Sequence, residues 1–220
     1  MTIEPAVQGE IDASLTRAPK RLKGVRFVPW VGKTYQIEGF MGRKVLVLGE
    51  SHYHSNEEES SEPYWTCLCV AEQVATSYRS RFWTGIAKAF LGKIPDLTQR
   101  QTFWQSVAFY NYVQEVVGGG PRIRPTPKMW KSAETGFQSV LDALQPDVVV
   151  ALGWSMWSWL PHEAVHSVKK KVAGVAVEVC GYRCGENKIA TTISLPHPSS
   201  VGFNGATWYS VLKHYIVGRV

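Results

Sequence analysis

Two short runs of consecutive apolar residues constrain the fold of this chain more than any other feature of its sequence. The first is 45–48, which lies within 44–50 and ends at Gly49. The second lies within 147–153, which reads Asp-Val-Val-Val-Ala-Leu-Gly. Neither run alternates apolar with polar residues, so both are typical of strands that helices cover on both faces. They predict an α/β protein with a mainly parallel sheet.

Two further strands and a set of helices complete the predicted layout. The strands are 106–113 and 189–195, and an amphipathic helix is predicted at 133–144. The remaining helical stretches are 67–80, 82–91, 155–159 and 206–217. A short hairpin around 175–182 would add an antiparallel edge. Strands that alternate with helices predict a three-layer α/β/α sandwich around a central, mainly parallel, four-stranded sheet.

Length and composition predict one domain. The chain has 220 residues, of which 45% are hydrophobic, and no Pro/Gly/Ser-rich linker interrupts its middle. We expect 1–24 to form a basic, weakly ordered arm, in which 16–23 could be helical, and 25–220 to form the single domain. No signal peptide and no apolar run near 18 residues is present, which predicts a cytoplasmic protein with no membrane contact. We also expect a monomer with no obligatory protein partner.

The four cysteines do not match a metal site. Cys67 and Cys69 are spaced C-x-C, and Cys180 and Cys184 are spaced C-x3-C, whereas zinc ribbons and four-cysteine clusters use other spacings. Buried free thiols are the usual state of intracellular cysteines. We therefore expect no metal and no other cofactor.

Basic residues are concentrated in three clusters, and the formal net charge is +6. The clusters are Arg17, Lys20, Arg21, Lys23 and Arg26; Lys169, Lys170 and Lys171; and Arg122, Arg124, Lys128 and Lys131. One acidic patch opposes them, formed by Glu57, Glu58 and Glu59. Any single cluster is consistent with ordinary solvated charge, but together they predict a polarised surface for a polyanion such as DNA.

Polar residues follow the predicted strands where each strand ends. These ends carry 49–54, Asn111, Gly153 and 197–200. In open parallel sheets, ligands bind just beyond the carboxyl ends of the strands. The sequence therefore predicts a site at this edge of the sheet.

Three of these strand ends, in this order, resemble the uracil-DNA glycosylase superfamily. Its first signature commonly reads Gly-Gln-Asp-Pro-Tyr-His, and here 49–54 read Gly-Glu-Ser-His-Tyr-His. Its second signature begins His-Pro-Ser, and here 197–200 read His-Pro-Ser-Ser. The superfamily also has an Asn at the end of its second strand, where Asn111 stands. The layout matches over 27–217, but residues match only in these three pieces.

The resemblance implies a uracil-DNA glycosylase-like fold and a monofunctional DNA glycosylase that acts in base excision or DNA repair. Such an enzyme hydrolyses the N-glycosidic bond of a flipped-out uracil, or of a modified or damaged base, and leaves an abasic site. Cleavage leaves positive charge on the sugar and negative charge on the departing base. A donor for the base and a carboxylate near the sugar are therefore needed.

The resemblance assigns these catalytic roles to His197, Glu50 and Ser51. His197 would donate a hydrogen bond to a carbonyl of the base, although a histidine that caps the strand–helix junction is the alternative. Ser51 stands where the superfamily usually has Asp, and Glu50 is the nearest acid. Glu50 is either the catalytic carboxylate or a buried structural residue. Other branches carry a neutral residue here, so Ser51 argues against a standard uracil enzyme without excluding activity.

Four residues are expected to surround the base: Gly49, His52, Tyr53 and Asn111. Gly49 allows close approach of the base, and the Asn111 amide would read its hydrogen-bonding edge, although Asn also favours turns. Tyr53 matches the aromatic residue that rejects thymine in the uracil-specific branch. Ser51 and His52 replace the usual neighbours and imply a reshaped pocket. A bulky modified pyrimidine, such as a phage base attacked in defence, is therefore an alternative substrate.

The segment after the last strand is expected to bind DNA. The hydroxyls and backbone N–H groups of Ser199 and Ser200 would hold a phosphate at the start of the following turn or helix, unless they serve only as helix caps. Val201 or Phe203 would wedge into the duplex where the base leaves, unless this is an ordinary loop.

Two functions from other classes compete with this interpretation. His52, His54, Cys67, Cys69 and His197 could assemble the site of a metal-dependent hydrolase, because His-x-His is a usable ligand pair. The second rival is a catalytically idle DNA-binding module of the same fold, which the Ser at position 51 favours.

Overall fold

One sheet runs through the molecule. The computed structural model describes residues 3–54, 62–120, 123–162 and 164–218. Within these ranges the strands are β1 (Trp30–Val31), β2 (Val45–Gly49), β3 (Ala108–Asn111), β4 (Val148–Leu152), β5 (Val165–Val172), β6 (Val175–Cys184) and β7 (Lys188–Leu195). Their order in the sheet is β1-β3-β2-β4-β7-β6-β5.

The four strands predicted from the sequence lie side by side at the centre of the sheet. β3, β2, β4 and β7 are neighbours in that order, and each adjacent pair is parallel. Every residue of β2 and of β4 is buried, as expected for strands that are covered on both faces. The α/β class is confirmed.

The predicted number of four strands is wrong, because the described residues form a seven-stranded sheet. β1 pairs antiparallel with β3 at one edge, and β5 and β6 extend the other edge as an antiparallel hairpin on β7. The hairpin expected within 175–182 is instead part of one strand, β6, which pairs on both sides. β1 is too short to show a pattern, and β5 has exposed residues from His166 to Lys171, so its sequence carries no apolar alternation.

Helices lie on both faces of the sheet. They are α1 (Pro5–Arg17), α2 (Trp65–Ala75), α3 (Arg81–Leu91), α4 (Leu97–Ser106), α5 (Pro127–Leu144), α6 (Trp154–Trp157) and α7 (Gly205–Val217). Val45 and Val47 of β2 pack in one core cluster with α1–α4 and α7, while Leu46 and Leu48 pack in a second cluster with α5 and α6. Among the helices of the described ranges, none is long and apolar enough to cross a membrane.

Local capping interactions explain two helix boundaries that periodicity did not predict. α4 was not predicted, and it begins at a capping box in which Asp96 accepts the N–H of Gln99 and the Gln99 side chain accepts the N–H of Asp96. α5 begins six residues earlier than predicted, because the Thr126 hydroxyl caps it and Pro127 occupies its first turn.

The prediction of a weakly ordered N-terminal arm is wrong for residues 3–24. The helix expected at 16–23 lies instead at Pro5–Arg17, and it packs against α2. Its buried residues are Val7, Ile11 and Ser14. The Ser14 hydroxyl also accepts the backbone N–H of Val31, which ties the helix to β1. Two apolar side chains and one serine at helical spacing are too weak a pattern to mark a buried face.

A close approach between two glycines joins α5 to the loop before β1. A Cβ on Gly136 would lie 2.5 Å from the carbonyl oxygen of Gly24, whose own φ is +74°. Both positions therefore require glycine. By contrast, Gly9 in α1 is exposed and has open space where a Cβ would stand.

We predict opposite effects of the same substitution at these two helical glycines. Gly136→Ala should lower the free energy of unfolding by about 1–3 kcal/mol, because the backbone of the facing loop must move. Gly9→Ala should raise it by about 0.5–1 kcal/mol, since alanine favours the helix and nothing obstructs the methyl group. Urea unfolding of both variants measures the difference, and stabilisation by Gly136→Ala would contradict the described contact.

Candidate active site

A cavity opens at the carboxyl edge of the sheet, at the point where the order of the strands reverses. The chain after β2 leads to β3 on one side, and the chain after β4 leads to β5 on the other side, so the connections that follow β2 and β4 diverge at this point. Open α/β sheets bind their ligands at such a position. The cavity has a volume of about 470 Å³, and its walls come from the segments after β2, β4 and β7, the loop before α5 and the first turn of α7.

Several predicted site residues meet in this cavity. They are Glu50, His197, Ser200, Val201 and Phe203. They come from two segments that are far apart in the chain, which follow β2 and β7. The other predicted site residues lie in the described part of the chain but do not line the cavity. They are Gly49, Ser51, His52, Tyr53, Asn111 and Ser199.

Glu50 forms an ion pair in the cavity wall. Nη1 of Arg124 donates to both of its carboxylate oxygens, at 2.8 and 2.9 Å. The Glu50 side chain is 11% exposed and that of Arg124 is 62% exposed, so the acid lies inside and the cation lies at the mouth. Gly153, with φ of +126°, runs past the carboxylate, and a Cβ there would lie 3.9 Å from Oε2. From the sequence, Arg124 was predicted only as a member of a basic cluster. Its ion pair with Glu50 is seen only in the structure.

His197 lines the cavity and has one ring nitrogen that is bound within the protein. Its ring stacks on Phe82, with centroids 5.1 Å apart. Nδ1 accepts the backbone N–H of Ser199 at 3.2 Å, so the neutral ring carries its proton on Nε2. Burial, together with the positive charge of Arg124, lowers the pKa of His197, which favours this neutral form. No residue of the described ranges hydrogen-bonds Nε2, so this N–H is free to donate to a ligand.

The turn after His197 is held by the backbone of that residue. The Ser200 hydroxyl and its backbone N–H both donate to the His197 carbonyl, at 2.7 and 2.8 Å. The predicted turn is present, but neither serine caps the helix that follows. α7 begins later, and the Asn204 side chain accepts from its first N–H groups. Asn204 itself, a preferred N-cap residue just before the predicted helical stretch, was the signal that could have located the cap.

The two candidates for a wedge residue have different surroundings. The Val201 side chain is 96% exposed at the cavity rim. Phe203 is partly buried and packs against the main core cluster. Only Val201 therefore projects freely from this loop. Trp154, which also lines the cavity, is unusually exposed for its size, at 64%.

Asn111 and His52 form a buried pair that does not line the cavity. Nδ2 of Asn111 lies 3.2 Å from Nδ1 and 3.1 Å from Nε2 of His52, and Thr66 Oγ1 lies 2.8 Å from Nε2. The Asn111 oxygen occupies the space that a Cβ on Gly49 would need, which explains the glycine there. In this structure the Asn111 amide is bound within the protein, and contact with a base stays a prediction.

The remaining predicted residues of the first motif lie away from the cavity. Tyr53 is 52% exposed on the surface, and Ser51 is half-buried. The acidic patch Glu57, Glu58 and Glu59, like Arg122 of the third basic cluster, lies outside the described residues.

The residues proposed for a metal site lie in separate environments. Cys67 contacts Ser14 and the carbonyls of Val28 and Pro29, whereas His52 bonds to Thr66. In the part of the chain that the structure describes, no group of three or more His, Cys, Asp or Glu side chains could hold a metal ion.

No protein-family model matches this chain, and no curated protein matches it either. Function must therefore be inferred from the cavity and its side chains.

We predict a pH effect on stability from the burial of His52. Burial lowers the pKa of His52 to about 3, from an ordinary value of 6.5. The unfolded chain therefore binds more protons than the folded one between these values, and His52 reduces the free energy of unfolding as the pH falls through this window. His52→Gln should make the fall in the free energy of unfolding with decreasing pH shallower. His162→Gln, at an exposed site, should leave this fall unchanged. Urea unfolding from pH 7.5 to 4 measures this, and parallel curves for His52→Gln and wild type would contradict it.

Proposed function

We propose that this chain is a DNA glycosylase, which hydrolyses the N-glycosidic bond of a flipped-out uracil or of a modified or damaged base and leaves an abasic site. One observation carries the proposal: a neutral histidine donor, His197, and a carboxylate, Glu50, line the same cavity at the carboxyl edge of a parallel sheet. These are the two groups that the transition state requires.

The position of the two motifs supports the proposal. The segments that resemble the superfamily signatures follow β2 and β7, and both reach the edge where the cavity opens. The four parallel strands at the centre of the sheet are consistent with a uracil-DNA glycosylase-like fold. Fold alone does not define activity, so the chemistry of the side chains carries the argument.

The leaving base would be stabilised by His197. When the bond between C1′ and the base nitrogen breaks, the electron pair moves onto the base. The Nε2–H of His197 donates a hydrogen bond to the base carbonyl on which this charge accumulates. The positive charge of Arg124, which already lowers the pKa of His197, favours the same charge distribution. The base anion then takes a proton from solvent.

The sugar would be stabilised by Glu50. As the base departs, positive charge develops on the sugar ring, and the oxygen of a water molecule forms the new bond to C1′ while one of its protons passes to solvent. The carboxylate is fixed in the wall by its bonds to Arg124, so its negative charge is already oriented before the substrate enters. Ser51 lies outside the cavity, which leaves Glu50 as the acid suited to this role.

A glycosylase for a bulky modified pyrimidine is the second candidate, and the position of Tyr53 favours it. This residue matches the aromatic side chain that crowds C5 of the base in uracil-specific enzymes. Here it is 52% exposed and does not line the cavity. The cavity volume of about 470 Å³ also lies within the range of pockets for ligands larger than a single unsubstituted ring.

We predict that the wild-type protein processes at least one base in a panel of oligonucleotides. The panel carries uracil, hypoxanthine, xanthine and 5-substituted pyrimidines, and alkali-labile abasic sites are quantified under single-turnover conditions. His197→Ala and Glu50→Gln should each lower the rate by ~10²-fold or more, because each removes a charge-stabilising contact of the transition state. Glu134→Gln, which removes the acid of an ion pair outside the cavity, should keep the wild-type rate.

Two results would count against the proposal. Full activity in both cavity variants would contradict the mechanism. No product from any base, in a protein that still binds DNA, would favour the catalytically idle module.

A further inference from the structure

The hairpin of β5 and β6 carries three consecutive lysines that the proposed mechanism does not use. Lys169, Lys170 and Lys171 lie on β5, the last strand of the sheet, and all three are exposed. Among the described residues, none of them forms an ion pair. Their charges are therefore available to a partner.

Strand register places these lysines at the same edge of the sheet as the cavity. Lys170 pairs with Val177 of β6, and Val179 of β6 pairs with Ile193 of β7. Continuing this antiparallel register brings Val177 level with Leu195, two residues before His197. Because neighbouring strands are about 4.8 Å apart, the backbone of Lys170 lies roughly 10 Å from the end of β7.

The three charges are distributed over both sides of the edge strand. Side chains alternate along a strand, so Lys170 lies on the face of Val172, which is buried, while Lys169 and Lys171 point to the opposite face. An approaching anion therefore meets positive charge on either side of the hairpin. A rigid, paired strand also holds the charges at fixed spacing, unlike a mobile tail.

We propose that the lysine run of 169–171 is a docking surface for the phosphate backbone of duplex DNA beside the nucleotide that enters the cavity. The inference rests on the proposed function, and it adds a surface that makes no contact with the base. Charge complementarity supports it, since the duplex carries one negative charge per ~1.7 Å of helix axis. The position of the lysines at the same end of the sheet as the cavity supports it as well.

Protection of the sheet edge is the competing explanation. Lysines on an edge strand discourage pairing with other chains. That role predicts lower solubility of the variants, but it predicts no change in DNA affinity or in its dependence on salt.

Matched double variants test the docking surface. Lys169→Gln/Lys171→Gln removes two charges at the cavity edge. Lys33→Gln/Arg43→Gln removes two charges at the amino edge, since Lys33 follows β1 and Arg43 precedes β2. Glutamine keeps the side chains hydrophilic, and circular dichroism confirms folding. Affinity for an undamaged, fluorescently labelled duplex is then measured by anisotropy over a series of NaCl concentrations.

Lys169→Gln/Lys171→Gln should bind the duplex several-fold more weakly at low salt. The slope of log K against log salt should decrease in magnitude by about 2, which is about 1 per lost phosphate contact. The single variant Lys170→Gln should decrease it by about 1. The control Lys33→Gln/Arg43→Gln should keep the wild-type slope. The excision rate at saturating DNA should be unchanged in all three variants.

Three results would contradict the proposed docking surface. They are an unchanged salt slope in Lys169→Gln/Lys171→Gln, an equal change of slope in Lys33→Gln/Arg43→Gln, and binding of the wild-type protein to anionic vesicles but not to the duplex. A reduced slope in a protein that excises no base would support DNA docking while the glycosylase proposal fails. Excision with an unchanged slope would leave the glycosylase proposal intact and remove the docking surface.

Discussion

The burial of β2 and β4 on both faces determines where this protein can place polar chemistry. Inside these strands every side chain is apolar and buried, and each strand pairs with a neighbour on both sides, so no reactive group has room there. Polar side chains appear only where the strands end. Glu50 and Gly153 follow these two strands directly, and the reversal of strand order opens a cavity between them.

Within the cavity, charge is arranged around two fixed groups. Glu50 is bound by Arg124, and His197 is stacked on Phe82 and bonded at Nδ1 by a backbone N–H. Both groups are held in place by contacts within the protein, and fixed dipoles and charges are those that stabilise a transition state most effectively. At the same edge, Asn111 fills the space over Gly49, and its amide is bound to the buried His52.

Sequence reasoning predicted the elements whose signal is local and strong. The continuous apolar runs located β2 and β4, and the strand-end motifs placed Glu50 and His197 at the edge where the cavity lies. It failed where the signal depends on distant residues. The strand β5 is too charged to show a pattern, the helix α1 has only two buried apolar side chains, and the bond from Arg124 to Glu50 joins segments separated by β3. Such pairings depend on how the chain returns to the sheet, which periodicity does not encode.

The central claim is that the cavity cleaves the bond between a base and its sugar, rather than altering the base itself. Mass spectrometry of the small molecules released from the oligonucleotide panel in H₂¹⁸O tests it directly. Hydrolysis at C1′ places the water oxygen on the sugar, so the account predicts a free base that carries no ¹⁸O. A nucleoside that carries ¹⁸O on its base, recovered by digesting the oligonucleotide after the reaction, would identify hydrolysis on the ring instead, and the absence of any free base from the whole panel would contradict glycosylase activity.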